Sequence, residues 1–350
     1  MRENLIILIL IMGFVSYLLS FPLFGPLTTN LQDAEEYYTT FLLTHIVGIS
    51  LGGFFVDRIS RRVLVTKIIA IFLILAAASF YFGFFILAAL IQGIFLGVYV
   101  VIWGSLIARI VKPWERAKTL AVGVAFANAF LLWIQYSNSS NVFLVVIPLI
   151  PVFFLPELNV KDMHVWTINR DIFNFILPVA IFYILSGFMY AAMEPEFRSA
   201  GINVHALFYI LIVLFAGYLY DRIGRKVVSI IGLSLLALSY VFFNRFLTLS
   251  AYLIQSSYGF LDVFSMIIWA DLSYYGSEAK HYSIGVFTIV ASILFGYKAL
   301  IYYNLNPFDF ESLALILLIL ASVSIAMVKE PMLSEEEYAA RATRFGGATK

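Results

Sequence analysis

The sequence predicts an all-α membrane protein of twelve transmembrane helices in two pseudo-symmetric six-helix bundles. Three observations carry this. The 350-residue chain is 62% hydrophobic and only 12% charged, about half the charge of a soluble domain. Apolar runs near 20 residues long recur along it, the length that crosses a bilayer as a helix. A charged motif also occurs twice, half a chain apart: "GFFVDRISRRVL" at 53–64 and "GYLYDRIGRKVV" at 217–228.

Breaks at charges, Pro, Gly and Asn delimit the spans in order: 4–24, 38–57, 63–79, 83–108, 117–136, 141–156, 172–192, 203–220, 227–243, 247–272, 282–303 and 311–328. The first run has an apolar core longer than a signal core and no small-x-small site after it, so it reads as helix 1. Between the third and fourth, "AAASFYFGFFIL" offers no charged break. The sixth is short and holds Pro148 and Pro151, which predicts a kink. Charge placement tests the count. Of the 22 Lys and Arg residues, all but Arg198, Arg245 and Lys298 fall on or beside the face that holds both termini. Asp33, Glu35, Glu36, Glu194, Glu196, Asp309 and Glu311 fall at the other. The positive-inside rule makes the first face cytoplasmic, in a protein integral to the plasma membrane.

Further echoes keep the order of the repeat. "VIWGSL" at 101–106 matches "IIWADL" at 267–272, and "AKTLAVGV" opening helix 5 matches "AKHYSIGV" opening helix 11. The expected organisation is a bundle over 1–156, a polar linker at 157–171, a second bundle over 172–330 and a tail at 331–350. In the tail, Ser334 and Glu337 have the spacing of a capping box.

The absence of cysteine excludes disulfides, thiolate metal sites and cysteine nucleophiles. No zinc-type cluster, phosphate-cradling loop or nucleophile–base constellation stands out, so neither an enzyme nor a metal or cofactor is expected. A net charge of +1 points to no nucleic-acid partner. A monomer is expected. Gly48, Gly52, Gly53, Gly93 and Gly97 have spacings suited to close helix packing.

Asp57 and Asp221 sit at the ends of helices 2 and 8, where a carboxylate meets the negative end of its own helix. Each therefore needs a partner. Arg58, Arg61, Arg62, Arg222, Arg225 and Lys226 can bind carboxylates, backbone carbonyls or anionic lipid headgroups, or serve as plain positive-inside charges. Within the membrane, Asp262 is about ten residues from the end of helix 10, near the midplane. An acid there faces water or a partner, or stays protonated and bonded to a neighbouring helix. Facing the solute path, it would exchange a proton or pair with a cation. Asn128, Gln92 and Gln255 can bind solute or bridge helices. His45 and Lys298 have comparable depth and can flank an outer vestibule, or pack and snorkel instead. Tyr183, Tyr190, Trp133 and Trp269 are aromatic candidates for the cavity wall.

These motifs resemble the major facilitator superfamily over nearly the whole chain. The resemblance lies in the D-R-x-[S/G]-R-[R/K] loop after helix 2 and its copy after helix 8, in "KPWERAK" at 112–118, and in the Pro-Glu after helix 6. Two departures stand out. Ala89 occupies the place of an arginine three before "Gln-Gly", and helix 5 lacks the Gly-Pro-x-x-Gly of many drug–proton antiporters. The resemblance implies two bundles rocking about a central cavity. It also implies that Asp57 and Asp221 latch against the facing half, with Glu115 and Arg116 in the same inner gate. The expected function is secondary transport of a small organic solute by alternating access. Neutral or cationic solutes are favoured, because the midplane set holds one acid and no base. Proton coupling through Asp262 is expected, with an uncoupled facilitator or a solute sensor as the alternatives.

Overall fold

Long apolar runs in a bilayer must satisfy every backbone N–H and C=O internally, so they become helices. The computed structural model describes residues 2–21, 34–137, 141–157, 168–189, 193–202, 206–303 and 311–338. Its α-helices are α1 (Arg2–Ser20), α2 (Ala34–Phe55), α3 (Arg62–Tyr81), α4 (Phe85–Ile110), α5 (Arg116–Tyr136), α6 (Ile172–Phe188), the short α7 (Glu194–Ser199), α8 (Ala206–Ile223), α9 (Arg225–Phe243), α10 (Leu247–Leu272), α11 (Glu278–Tyr303) and α12 (Glu311–Met327). No strand occurs among the described residues. Seven of the described helices are long and apolar enough to cross a membrane. Across the described helices, large hydrophobics such as Leu8, Val47, Ile71, Leu211 and Ile319 are exposed, as expected where lipid is the solvent. α3 and α4 are divided at Gly83, whose φ of 84° is a left-handed turn open to glycine.

The sixth span is not an α-helix. It runs as two 3-10 segments, Val142–Val145 and Ile147–Phe154. Pro148 and Pro151 have no N–H to give to the α ladder, which breaks it. At about 2.0 Å per residue, 142–154 reaches roughly 26 Å, against about 20 Å as an α-helix. The distortion thus lets a short run approach the thickness of the hydrocarbon layer, about 30 Å.

Glycine sets the closest helix pairs. A Cβ on Gly48 would collide with the Ile94 carbonyl, and one on Gly97 would meet the His45 carbonyl, so α2 and α4 pack backbone to backbone. Gly187 and Gly296 do the same for α6 and α11. Two seams join the halves of the chain. α2 meets α11 where Gly53 faces Ser283, and α8 meets α5 where Gly217 faces Ala121 and the Ala117 carbonyl. Gly53 and Gly217 are the glycines that open the two motif copies. The opening glycine of each copy therefore lets the other half approach.

Candidate functional site

Two clusters of described polar side chains stand out: one at the end of the molecule where both motif copies lie, and a small one at mid-depth.

At the first, Asp57 accepts hydrogen bonds from the backbone N–H groups of Ala279 and Lys280, both at 3.0 Å. Asp221 accepts from Ala117 N–H at 3.1 Å and Lys118 N–H at 2.8 Å. Each aspartate, ending a helix in one half, caps the first turn of a helix in the other. The orphan N–H groups there and the positive helix end favour a carboxylate. The two contacts are reciprocal: α2 caps α11, and α8 caps α5.

A buried ionic layer surrounds the caps. Arg62 reaches Asp57 at 3.3 Å and donates to Ser105 at 3.2 Å. Arg109 forms a two-pronged pair with Glu278, at 2.8 and 3.1 Å, and lies over the Tyr275 ring. Asp271 bridges two arginines, Arg116 at 2.8 Å and Arg225 at 2.7 Å. Arg225 also meets Asp221 at 3.0 Å and donates to the Pro113 carbonyl at 2.6 Å. The described groups sort into two electrically neutral sets: Asp57, Arg62, Arg109 and Glu278, and Arg116, Asp221, Arg225 and Asp271. In a buried pair the desolvation cost largely cancels the attraction. Water reaching the groups repays that cost, so such a layer can separate without a large net penalty.

The other expected members of this group sit apart. Arg58 is exposed and lies over the Phe54 ring. Arg61 is exposed. Arg222 is exposed and bonds the Tyr218 hydroxyl of its own helix. Lys226 donates to the Ala326 carbonyl of α12. Glu115 is half-buried and offers its carbonyl to Thr119. Sequence reading passed over Arg109, Asp271 and Glu278. The signal lay in the repeat itself: Asp271 aligns with Ser105, and Glu278 with Arg116, so charge differs at matched positions.

Beyond this layer, the capping box forms as its spacing predicts. Ser334 Oγ accepts from Glu337 N–H, and Glu337 accepts from Ser334 N–H. Glu330 accepts from the backbone N–H groups of Arg225 and Lys226 and so caps α9. Tyr338 lies edge-on to Trp114, 5.9 Å between centroids. The tail thus crosses from α12 to the loop before α5.

At mid-depth, Asp262 is ten residues from the end of α10, about 15 Å. Tyr209 of α8 donates to its carboxylate at 2.6 Å and Tyr183 of α6 at 3.2 Å; Tyr183 also bonds Ser265 at 2.6 Å. Both tyrosines are buried, while Asp262 is half-buried. Gln255, two turns away on the same stripe of α10, is also half-buried. The remaining candidates are not gathered here. Gln92 is buried and bridges Tyr37 of α2 to the Ser20 carbonyl of α1. Asn128 bonds the Val124 carbonyl of its own helix. His45 is fully buried against Phe41 and bonds the Gly93 carbonyl at 3.1 Å. It does not flank a vestibule with Lys298, which pairs with Glu35 at 2.8 Å. Trp269 is fully buried against Gly285, and Trp133 lies on the outer surface. Tyr190 lies outside the described residues.

No family model matches the sequence, and no curated protein matches it. Solved structures do. The major facilitator superfamily proton:xylose symporter XylE, bound to 6-bromo-6-deoxy-D-glucose, is 14% identical with a TM-score of 0.71, covering 97% of this chain and 98% of that one. A bacterial homologue of the iron transporter ferroportin, in an outward-facing state, is 17% identical with a TM-score of 0.68, over 93% and 98%. The human organic anion transporter MFSD10 (TETRAN) is 14% identical with a TM-score of 0.72, over 92% and 99%. At these identities the likeness establishes the fold: the chain has the fold of the major facilitator superfamily.

Proposed function

We propose that the chain is a secondary transporter that moves a small organic solute across a membrane by alternating access. The observation that carries this reading is the reciprocal capping of α11 by Asp57 and of α5 by Asp221. Those contacts close one end of both seams between the halves, and they involve neutral sets of charge that water can part. On this reading the closed end is the cytoplasmic door, residues 1–156 and 172–330 are the rocking bodies, and both termini are cytoplasmic. The solutes of XylE, the ferroportin homologue and MFSD10 differ, so the substrate class is argued from the site alone.

Asp262 is the candidate coupling and binding group. It is held by two neutral hydroxyl donors, and no basic side chain bonds it among the described residues. The carboxylate can therefore be neutralised by a proton or a cationic group, which favours neutral or cationic solutes over anions. Purified protein in liposomes tests this, with solute flux followed with and without a pH gradient. Asp262→Asn is expected to abolish uphill uptake while leaving solute exchange. Uphill uptake that persists in the variant removes Asp262 from the coupling step. Uptake indifferent to collapse of the gradient in the unmodified protein assigns a facilitator, and solute binding without any flux assigns a sensor.

A further inference from the structure

The seam between α2 and α11 carries a feature with no part in the door. At the end away from the motif loops, a groove of about 620 Å³ runs beside it, lined by Ile46 of α2 and by Ala291, Leu294, Phe295, Ala299 and Tyr302 of α11, with Glu35 and Lys298 at the rim. The α11 members fall at the i, i+3, i+4, i+7, i+8 and i+11 positions counted from Ala291, so they form one stripe of that helix. Ala291 and Ala299 leave the space; the larger Phe295 and Tyr302 stand out as exposed ridges.

Helix geometry sets the direction in which the groove opens. On α11, Tyr282 faces α4 and Gly285 faces α10, which lie on the opposite side from the groove stripe. On α2, Gly48 and Gly52 face α4, while Leu43, Val47 and Leu51, flanking Ile46, are exposed. The groove therefore opens sideways, toward the apolar surroundings, and not into the centre of the molecule. From Ala291 to Tyr302 it extends about 17 Å at 1.5 Å per residue. That is close to the hydrocarbon depth of one leaflet, roughly 15 Å. At its far end Lys298 and Glu35 pair at 2.8 Å, with side chains 39% and 59% exposed, giving one positive and one negative group at the level of a headgroup.

We infer that this groove is a lipid site: it seats one acyl chain of a zwitterionic phospholipid, whose phosphate meets Lys298 and whose ammonium meets Glu35. The occupant follows from length, apolar lining and the paired charges at one end. A free solute would not need a leaflet-long apolar wall, and a singly charged lipid would leave one member of the pair uncomplemented. The site does not depend on the transport reading.

The chain has no cysteine of its own, so single-cysteine labels are unique. Ala291→Cys in the groove and Leu320→Cys, on the exposed face of α12, each receive an environment-sensitive fluorophore. The proteins are placed in phosphatidylglycerol vesicles containing a small fraction of phosphatidylcholine brominated on its acyl chain. Quenching at position 291 is expected to exceed that at 320 at least twofold, and to fall to the level of 320 with Glu35→Gln and Lys298→Met combined. Ala299→Phe, which fills the groove, is expected to lower it also. Equal quenching at 291 and 320 in the otherwise unaltered chain overturns the site. So does equal quenching at 291 by brominated phosphatidylglycerol. Energy transfer between labelled copies that accompanies exclusion of brominated lipid from 291 overturns it as well, and assigns the groove to a second copy of the chain.

Discussion

Asp271 is a single side chain that ties the two halves together. It bonds Arg116 from one half and Arg225 from the other, and is fully buried. Removing its charge leaves two guanidinium groups short of a partner in a dry layer, a change that costs about 3–5 kcal/mol for a buried pair. Asp271→Asn is therefore expected to loosen the closed end, read as faster labelling of a cysteine placed at Ala117. Arg61→Ala, at an exposed position, is expected to shift stability by no more than about 0.5 kcal/mol. The two variants separate buried bridging charges from exposed ones, which the sequence lists side by side. Arg61 and Arg225 occupy matched places in the two motif copies, yet one is exposed and the other fully buried. Asp262 was legible as a mid-depth acid from its distance to the helix end. Its donors Tyr183 and Tyr209 come from α6 and α8, and no spacing within one helix announces them.

Among the elements, the tail segment is the most local and the most legible. Ser334 and Glu337 satisfy each other's N–H groups within four residues, so the sequence alone carries the motif. Ser334→Ala is expected to cost about 0.5–2 kcal/mol of local helix stability and to raise chymotryptic cleavage after Tyr338. Acid acts the same way. The Ser334 N–H and then Lys329 hold the Glu337 carboxyl below its ordinary value. A carboxyl depressed on folding stabilises above its unfolded value and loses that contribution as pH falls through the folded one. Amide-exchange protection of the tail is thus expected to fall on acidification below the ordinary glutamate range, and to be flat there in Glu337→Gln. The sixth span shows the opposite case. Two prolines in an apolar run predict a break, but the resulting 3-10 path depends on packing against α1 and α3. Glycine likewise marks close approach in the sequence without naming the neighbour: Gly53 and Gly217 look alike, and only the fold shows that each receives the other half.

For the whole molecule, the two seams are closed at one end by equivalent contacts, and this makes them separable by experiment. Spin labels at Ser60 and Ile223, both exposed and on different halves, report the span of the closed end. Asp57→Asn and Asp221→Asn each remove one charged cap, and each is expected to add a longer population to the distance distribution. The double variant is expected to shift most of it. An unchanged distribution in the double variant would show that the caps do not hold the end shut. The closed end also has unequal sides. One rests on Asp57 and Glu278, the other on Asp221 and a carboxylate shared by two arginines, so the two single variants should differ in size of effect.

The sequence by itself determined the apolar, helical class of the chain and displayed the repeated motif. Apolar length sets what crosses a bilayer, and a motif repeated in order along the chain needs no folding to be seen. Only the tertiary structure decided the pairing. Asp57 meets Ala279 across 222 positions and Arg116 meets Asp271 across 155. Such contacts depend on how each helix is rotated and how close glycine lets its neighbour come. Helical periodicity reports that a residue lies on a face; the opposing surface, absent from any one segment, decides whether that face is capped, packed or left exposed.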